Sequence, residues 1–261
     1  MTNSFTIILH YISVVTITLL QSSCQQKDVL RTPGLSLSFD DRSVNEWFQL
    51  REMFSENEVR VTFFITQPDS LDNEDLAKLK MLESDGHEIG FHGNLHVLSE
   101  SYIKKSSYSQ YLRKEIDMGI EKMDSLGFRC VSFAYPFGAK YWFTDYLLLE
   151  KFDFLRGVSA LNEEKDLSKM DEIYYSYDDD QTLSAMGIDI NSGLEKSMID
   201  EALNRALKEK EVLLLYGHVP SINNNARGYA FNIELLNHII KTAKAMNFDF
   251  YTIKELNTKA N

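Results

Sequence analysis

Strand-like and helix-like segments alternate along nearly the whole chain, which predicts one α/β domain built on a largely parallel sheet. Two further observations support that class. The chain has 261 residues, enough for one large domain, and no Pro/Gly/Ser linker, charge block or internal repeat divides it. Hydrophobic residues make up 44% of it, an ordinary share for a globular protein with a sizeable core. Periodicity alone leaves open whether the sheet closes into a barrel.

The N-terminal stretch stands apart. Phe5 to Leu20 is an apolar run interrupted by His10 and several threonines. It is shorter than the roughly 20 residues a membrane helix needs. It ends in Leu20-Gln21-Ser22-Ser23-Cys24 and turns polar at once with Gln25-Gln26-Lys27-Asp28. This pattern resembles a bacterial lipoprotein signal. Residues 1–23 would be the signal, Cys24 the lipidated residue, 24–33 a short tether, and 34–256 the folded domain. No Lys or Arg precedes the run and Gln21 stands where a small or aliphatic residue is usual, so an ordinary cleaved signal or short anchor helix is the other reading. The expected location is the bacterial cell envelope, secreted, with membrane contact through a lipid anchor only. Cys130, the only other cysteine, is then expected as a small buried hydrophobe in a strand.

The elements follow in order. Leu35, Leu37 and Phe39 alternate with serines, as in a half-buried strand. Ser43 with Glu46 reads as a capping box opening a helix to about Asn57. Val59 to Ile65 is β-branched and aromatic, hence a strand. Asp72 caps a helix carrying Leu76, Leu79 and Leu82, stopped by Gly86 at a left-handed C′ position. His87 to Phe91 is a short strand. Ser107 with Gln110 opens a helix whose apolar stripe is Tyr108, Leu112, Ile116, Ile120 and Met123, ended by Gly127. Strands are expected near Cys130–Tyr135, Phe154–Val158 and Val212–Tyr216, and helices near Trp142–Lys151 and Leu194–Lys208. A last helix carries Leu235, Leu236, Ile239, Ile240 and Ala243 to about Asn247, and Phe248–Ile253 is a final strand. Asn162 to Ser192 is acidic and Tyr-rich, with strand-like pieces at Ile173–Tyr177 and Met186–Ile190 and a solvated acidic turn at Asp178-Asp179-Asp180.

The formal net charge is −12. An acidic surface repels phosphate backbones, so nucleic acid is not an expected partner. No Walker loop and no dinucleotide-binding glycine pattern occurs. The chemistry-bearing residues cluster instead at strand ends, where parallel α/β folds gather functional groups. Asp40-Asp41 puts two carboxylates side by side, a pair that repels unless a cation compensates or a helix N-terminus favours it. His92 and His96, four apart, share one face if they lie on a helical turn. Two histidines plus one carboxylate is a common ligand set for a catalytic zinc with an open position for water. Gly93 after the first histidine excludes the His-Glu-x-x-His spelling of one class of metallopeptidase.

Taken together, five motifs in order resemble the polysaccharide deacetylase (NodB-homology) family of carbohydrate esterases. They are Ser38-Phe39-Asp40-Asp41, Val61-Thr62-Phe63-Phe64-Ile65, Gly86 through His92 to His96, Phe133 through Gly138, and Leu213 through His218. The resemblance spans roughly Leu35 to Ile253 and implies a distorted (β/α) barrel of the polysaccharide deacetylase type in a single domain. It implies that Asp41, His92 and His96 bind one divalent metal ion, zinc first, with no organic cofactor. It makes Asp40 the general base and His218 the general acid. The oxyanion donor would be a backbone amide near Tyr135 to Phe137. Ala134 stands where many members carry an arginine that braces the base, and Arg156 is expected to supply that cation. Gly93 stands where members carry Ser or Thr, and Asn94 is expected to orient the loop instead. The family's Asp- and Trp-containing fourth motif has no clear counterpart; Asp189 in Gly187-Ile188-Asp189 is the weak candidate for its Asp, and the Trp is missing.

Other residues have blander readings. His87 and His238 are expected to be structural. Tyr141, Trp142 and Phe143 could stack on sugar rings or pack on the barrel. Asn223 to Tyr229, with Arg227, reads as a cleft-edge loop. The expected activity is metal-dependent removal of acetyl groups, N-acetyl before O-acetyl, from an acetylated glycan of the envelope or the exterior. The alternative is a noncatalytic glycan-binding lipoprotein that retains the fold; an amidase with a non-glycan substrate uses the same chemistry.

Overall fold

The computed structural model describes residues 32–140, 143–177, 180–222 and 228–257. The chain opens with strand β1 (Gly34–Asp41), helices α1 (Val44–Phe48) and α2 (Arg51–Asn57), and strand β2 (Thr62–Ile65). Helix α3 (Asn73–Ser84), β3 (Glu88–Phe91), α4 (Ser99–Lys105), α5 (Tyr108–Tyr111), a π-helical stretch (Leu112–Asp117) and α6 (Met118–Ser125) follow. Next come β4 (Ser132–Ala134), α7 (Thr144–Leu148), β5 (Phe154–Ser159), β6 (Tyr174–Tyr175) and β7 (Thr182–Gly187). The chain continues through α8 (Lys196–Glu209), β8 (Val212–Gly217), β9 (Val219–Ser221), β10 (Ala230–Asn232), α9 (Ile233–Ala245) and β11 (Asp249–Phe250).

Seven strands pair in parallel in the order β1-β2-β3-β4-β5-β7-β8, and β8 pairs back onto β1, so the sheet closes into a barrel. This settles the question that periodicity left open and agrees with the barrel implied by the resemblance. Short β6 adds antiparallel to β8, and β11 adds parallel to the start of β1.

Alternation along each strand sorts the core into two layers. Phe64, Ala134, Phe154, Leu183, Ala185, Val212 and Leu214 form one buried cluster, with Ile253 and Leu256 added from the C-terminal turn. Their neighbours Leu37, Phe39, Phe63, Ile65, Phe133, Leu155, Leu213 and Leu215 join the larger cluster that includes the helices. The interior also holds charge. Buried Glu88 accepts hydrogen bonds from Ser132 Oγ (2.6 Å), Thr62 Oγ1 (2.9 Å) and the Lys254 amide (2.8 Å). Burial pushes its carboxyl above the usual range. Cys130 is free and buried, and lies just before β4.

Several local expectations change. Ser43 makes no side-chain cap, and the helix predicted to Asn57 breaks into α1 and α2. By contrast, Asp72 caps α3 in a full capping box with Asp75, and Gly86 follows with φ +96°. The predicted helix from Ser107 does start on a Ser107 cap. Ile116 and Met123 of the predicted stripe are buried and Tyr108, Leu112 and Ile120 pack against the core, but the fully buried face also takes in Tyr111, Glu115 and Gly119, as the π-helical stretch changes the residue spacing midway. The final strand shortens to two residues, and a 3₁₀ turn over Ile253–Asn257 replaces its end. The leader, Cys24, His10, Tyr141, Trp142, Asp178-Asp179 and Asn223 to Arg227 lie outside the described residues. Among the described residues no helix is long and apolar enough to cross a membrane.

Candidate active site

Asp40 and Asp41 at the end of β1, His92 and His96 just after β3, and His218 just after β8 all lie at the carboxyl end of the barrel strands, the end where (β/α) barrels carry their loops. A cleft of about 350 Å³ opens there, lined among others by Asp40, Asp41, His92, His96, Phe137 and His218.

Asp41, the last residue of β1, has φ +86°, a conformation L side chains rarely adopt. Such strain costs on the order of 1–3 kcal/mol and persists where the surroundings impose it. Its Oδ1 lies 3.3 Å from His96 Nε2 and 3.7 Å from His92 Nε2. One potential ligand atom from each of Asp41, His92 and His96 falls within 4.8 Å of the others. His92 Nδ1–H donates to the Ala134 carbonyl at 2.8 Å, which leaves the Nε2 lone pair facing the carboxylate. Burial, opposed in part by Asp40, lowers the His92 pKa, so the ring is neutral as ligation requires. The donor set, its tautomer and its spacing therefore fit a divalent ion.

The histidines do not sit on a helical turn, as the four-residue spacing suggested. They lie on the loop after β3, where Gly93 (φ +86°) and His96 (φ +55°) both take positive φ and fold the second ring back over the first. The ring centroids are 5.0 Å apart. Asn94 does tie this loop down, with Nδ2 donating to the Lys114 carbonyl at 2.9 Å. A more extensive tie, from the buried carboxylate of Glu115, went unread in the sequence, where Glu115 sat beside the predicted apolar stripe as an ordinary polar helix position.

Asp40 points into the barrel and is buried. Arg156 Nη2 donates to both of its oxygens at 2.5 Å. Arg156 pairs in register with Ala134, so its guanidinium enters from the strand next to the one that lacks an arginine. Its guanidinium carbon lies 4.8 Å from the Tyr216 ring centroid and 5.3 Å from that of Phe64. Burial alone would raise the Asp40 carboxyl; Arg156, helped by His218, outweighs it and holds the carboxyl below the usual range.

His218, just after β8, donates from Nδ1 to Asp189 Oδ2 at 2.5 Å, and its amide donates to Asp189 Oδ1 at 3.1 Å. Burial lowers the imidazole pKa, but the Asp189 hydrogen bond and the Asp40 and Asp189 charges outweigh it, and the net shift is upward. The weakest sequence candidate, Asp189, is thus in direct contact with His218. The indole of Trp47 on α1 donates to the His218 carbonyl at 2.6 Å. That tryptophan carried no signal in the sequence, because it precedes His218 by most of the chain.

Among the backbone amides named for the oxyanion, Tyr135 N–H is committed to the Arg156 carbonyl at 2.9 Å, and Pro136 has none. Phe137 N–H has no acceptor among the described residues, and Phe137 takes φ +60° at the cleft edge. Its ring lies 4.7 Å from that of His96. Tyr135 instead sends its side chain into the core, where its hydroxyl donates to Asp145 at 2.7 Å. Tyr229 stands at the cleft with its ring 5.1 Å from His218. Of the residues read as structural, His238 pairs with Asp200 at 2.7 Å and His87 is buried between Phe54 and Phe63.

Comparison with known proteins agrees with this fold. The family model for polysaccharide deacetylase matches residues 27–151. No curated protein sequence matches. Among solved structures, the chitin deacetylase of the fungal pathogen Colletotrichum lindemuthianum has a TM-score of 0.56 at 14% identity, over 88% of this chain and 89% of that one. The catalytic domain of a peptidoglycan N-acetylglucosamine deacetylase from Eubacterium rectale gives 0.52 at 13%, over 84% and 88%. A CE4 family pseudoenzyme from Bacillus anthracis gives 0.56 at 16%, over 87% of this chain and 66% of that one. At such identities the likeness to these structures is one of fold. By sequence over residues 27–151 and by fold over most of its length, this chain is recognised as resembling the polysaccharide deacetylase (NodB-homology) family of carbohydrate esterases.

Proposed function

We propose that this chain is a metal-dependent hydrolase that removes acetyl groups, N-acetyl in preference to O-acetyl, from a cell-envelope or extracellular polysaccharide. The observation that carries the reading is the meeting, at one cleft, of the Asp41/His92/His96 cluster, Asp40 backed by buried Arg156, and His218 backed by buried Asp189. The named activities of two structural neighbours, on chitin and on peptidoglycan N-acetylglucosamine, support the substrate class.

Asp41, His92 and His96 would hold one divalent ion, zinc first. Such an ion, when bound, supplies Lewis acidity and can lower the pKa of water from about 15.7 to about 7. Asp40, kept anionic by Arg156, takes the proton of the attacking water. The free Phe137 amide donates to the oxygen that gains negative charge as the acetyl carbon becomes tetrahedral. His218, its pKa raised chiefly by Asp189, gives its proton to the leaving amine. Trp47 and Asp189 together fix where that imidazole stands.

The test is acetate release from a panel of acetylated saccharides. Activity should require metal and fall to background in Asp40→Asn and His218→Ala; activity retained in both variants would refute the assigned roles.

The reading extends to location: a lipoprotein held to a bacterial envelope membrane through Cys24. Incorporation of labelled palmitate, abolished by Cys24→Ala, is the expected result; equal labelling of the variant would refute it. A noncatalytic glycan-binding role is the second reading, favoured by the pseudoenzyme among the neighbours. Glycan binding with a full metal site and no acetate release would select it.

A further inference from the structure

We propose that Glu115 is a positioning residue for His96, clamping the backbone amides on both sides of that histidine so that its imidazole is held where a ligand must stand. The proposal rests on the metal reading above.

His96 is the second imidazole of the cluster; its ring meets Asp41, His92 and Phe137, and its backbone is held separately. It lies on an irregular loop, in a left-handed conformation with φ +55°. A loop of this kind moves easily unless its backbone donors are fixed. Here they are fixed by one side chain. Leu95 N–H donates to Glu115 Oε2 at 2.6 Å, and Val97 N–H donates to Glu115 Oε1 at 3.1 Å. The same residue's main-chain carbonyl accepts from Asn94 N–H at 2.9 Å. The carboxylate therefore reaches both neighbours of His96, while the backbone of the π-helical stretch holds the residue before them.

Three features indicate that this is a built arrangement. Glu115 is fully buried, and among the described residues no Lys or Arg forms an ion pair with it. A buried carboxylate without a cation is costly, and backbone N–H donors are its only compensation here. Glu115 sits in the π-helical stretch Leu112–Asp117, and π-turns occur frequently at functional sites. Finally, the loop is shaped around the carboxylate: a Cβ at Gly93 would stand 2.2 Å from Glu115 Oε1. Gly93 itself has φ +86°, so both the space and the backbone require glycine between the two histidines. From the other side, Thr66 Oγ1 and the Gln67 amide both donate to the Gly93 carbonyl at 2.9 Å.

A residue acting only on general stability would not depend on His96. The experiment measures Zn²⁺ affinity by competition with a chromophoric chelator, and Co²⁺ absorption spectra, for the purified wild type, Glu115→Gln, His96→Ala and the double variant. Glu115→Gln keeps the shape but turns one acceptor into a donor facing an amide. Its Zn²⁺ affinity should fall about ten- to hundredfold, the size expected when a group that orients a ligand is lost, with an altered Co²⁺ spectrum. The double variant should bind no more weakly than His96→Ala alone. A folded Glu115→Gln with wild-type affinity, or losses that multiply in the double variant, overturns the proposal. A wild type that binds no Zn²⁺ defeats the metal reading itself, and this one with it, and is recognised from the wild-type arm alone. Should the variant fail to fold, hydrogen exchange on the unmutated, zinc-free protein decides. Slow exchange at both the Leu95 and Val97 amides supports the clamp, and fast exchange at either overturns it.

Discussion

Arg156 on β5 reaches across the barrel to Asp40 on β1, and a single guanidinium nitrogen, Nη2, stands 2.5 Å from both carboxylate oxygens. Both side chains are buried. The pair connects the interior of the barrel to the floor of the cleft and keeps Asp40 ionised where burial would otherwise neutralise it. Its position also shows how the cation can change strands: Ala134 and Arg156 are direct partners on adjacent strands, so an arginine at either position faces the same interior.

Removal of that cation should be severe. Arg156→Met leaves a buried carboxylate unpaired, which typically costs about 3–5 kcal/mol of stability, measurable by urea unfolding. The Asp40 carboxyl should then titrate at higher pH, shifting the acid limb of the activity profile upward. Acetate release at neutral pH should fall by about 100-fold, within the range that a lost general base accounts for. Adding Ala134→Arg to Arg156→Ala should recover part of the activity; no recovery would mean that the guanidinium must arrive from β5.

The metal cluster predicts dependence on a divalent ion. Dialysis against a chelator should abolish acetate release, and Zn²⁺ should restore it. Asp41→Asn, His92→Ala and His96→Ala should each lower Zn²⁺ affinity, checked by metal analysis after gel filtration. Full activity in chelator-treated protein would contradict the assignment.

His218 predicts the alkaline side of the profile. The Asp189 hydrogen bond is the leading influence that raises its pKa against burial, so wild-type activity should persist above the usual imidazole range before the acid is lost. Asp189→Asn removes that support, and the alkaline limb of kcat should move to lower pH. An unmoved limb would show that another group sets it.

His87 predicts a pH-dependent stability unrelated to catalysis. It is buried, and its Nδ1 accepts from the Val61 amide at 3.1 Å, so the folded protein holds it neutral. Burial lowers its pKa to about 4, from 6.5 in the unfolded chain. Between those values the unfolded chain binds the extra proton, so stability from this group is present above about pH 6.5 and is lost as pH falls toward 4. The loss reaches about 3 kcal/mol at the lower end, at about 1.4 kcal/mol per pH unit. Urea unfolding from pH 7 to pH 4 should show it, and His87→Asn should flatten that part of the curve.

How much of this was readable depended on range. The strand–helix alternation, the Asp72 cap, the strand-end position of Asp40-Asp41 and the order of the motifs are local properties, and residues near in sequence specify them. The His92–His96 spacing was readable, but its conformation was not. A helical turn was the natural inference, whereas Gly93 and the Glu115 carboxylate, brought in from a later helix, impose an irregular loop. The π-helical stretch was also invisible, since side-chain periodicity assumes the regular turn it interrupts.

The sequence by itself determined the alternating α/β elements, the apolar strands and the inventory of two adjacent carboxylates and three histidines. Only the tertiary structure decided that the sheet closes through β8 onto β1, that Arg156 reaches Asp40, that Asp189 meets His218, and that Glu115 holds the loop of His96. The physical reason is that propensity, capping and periodicity act over a few residues. A buried charge, by contrast, takes whichever partner the closed barrel brings to it, however distant along the chain.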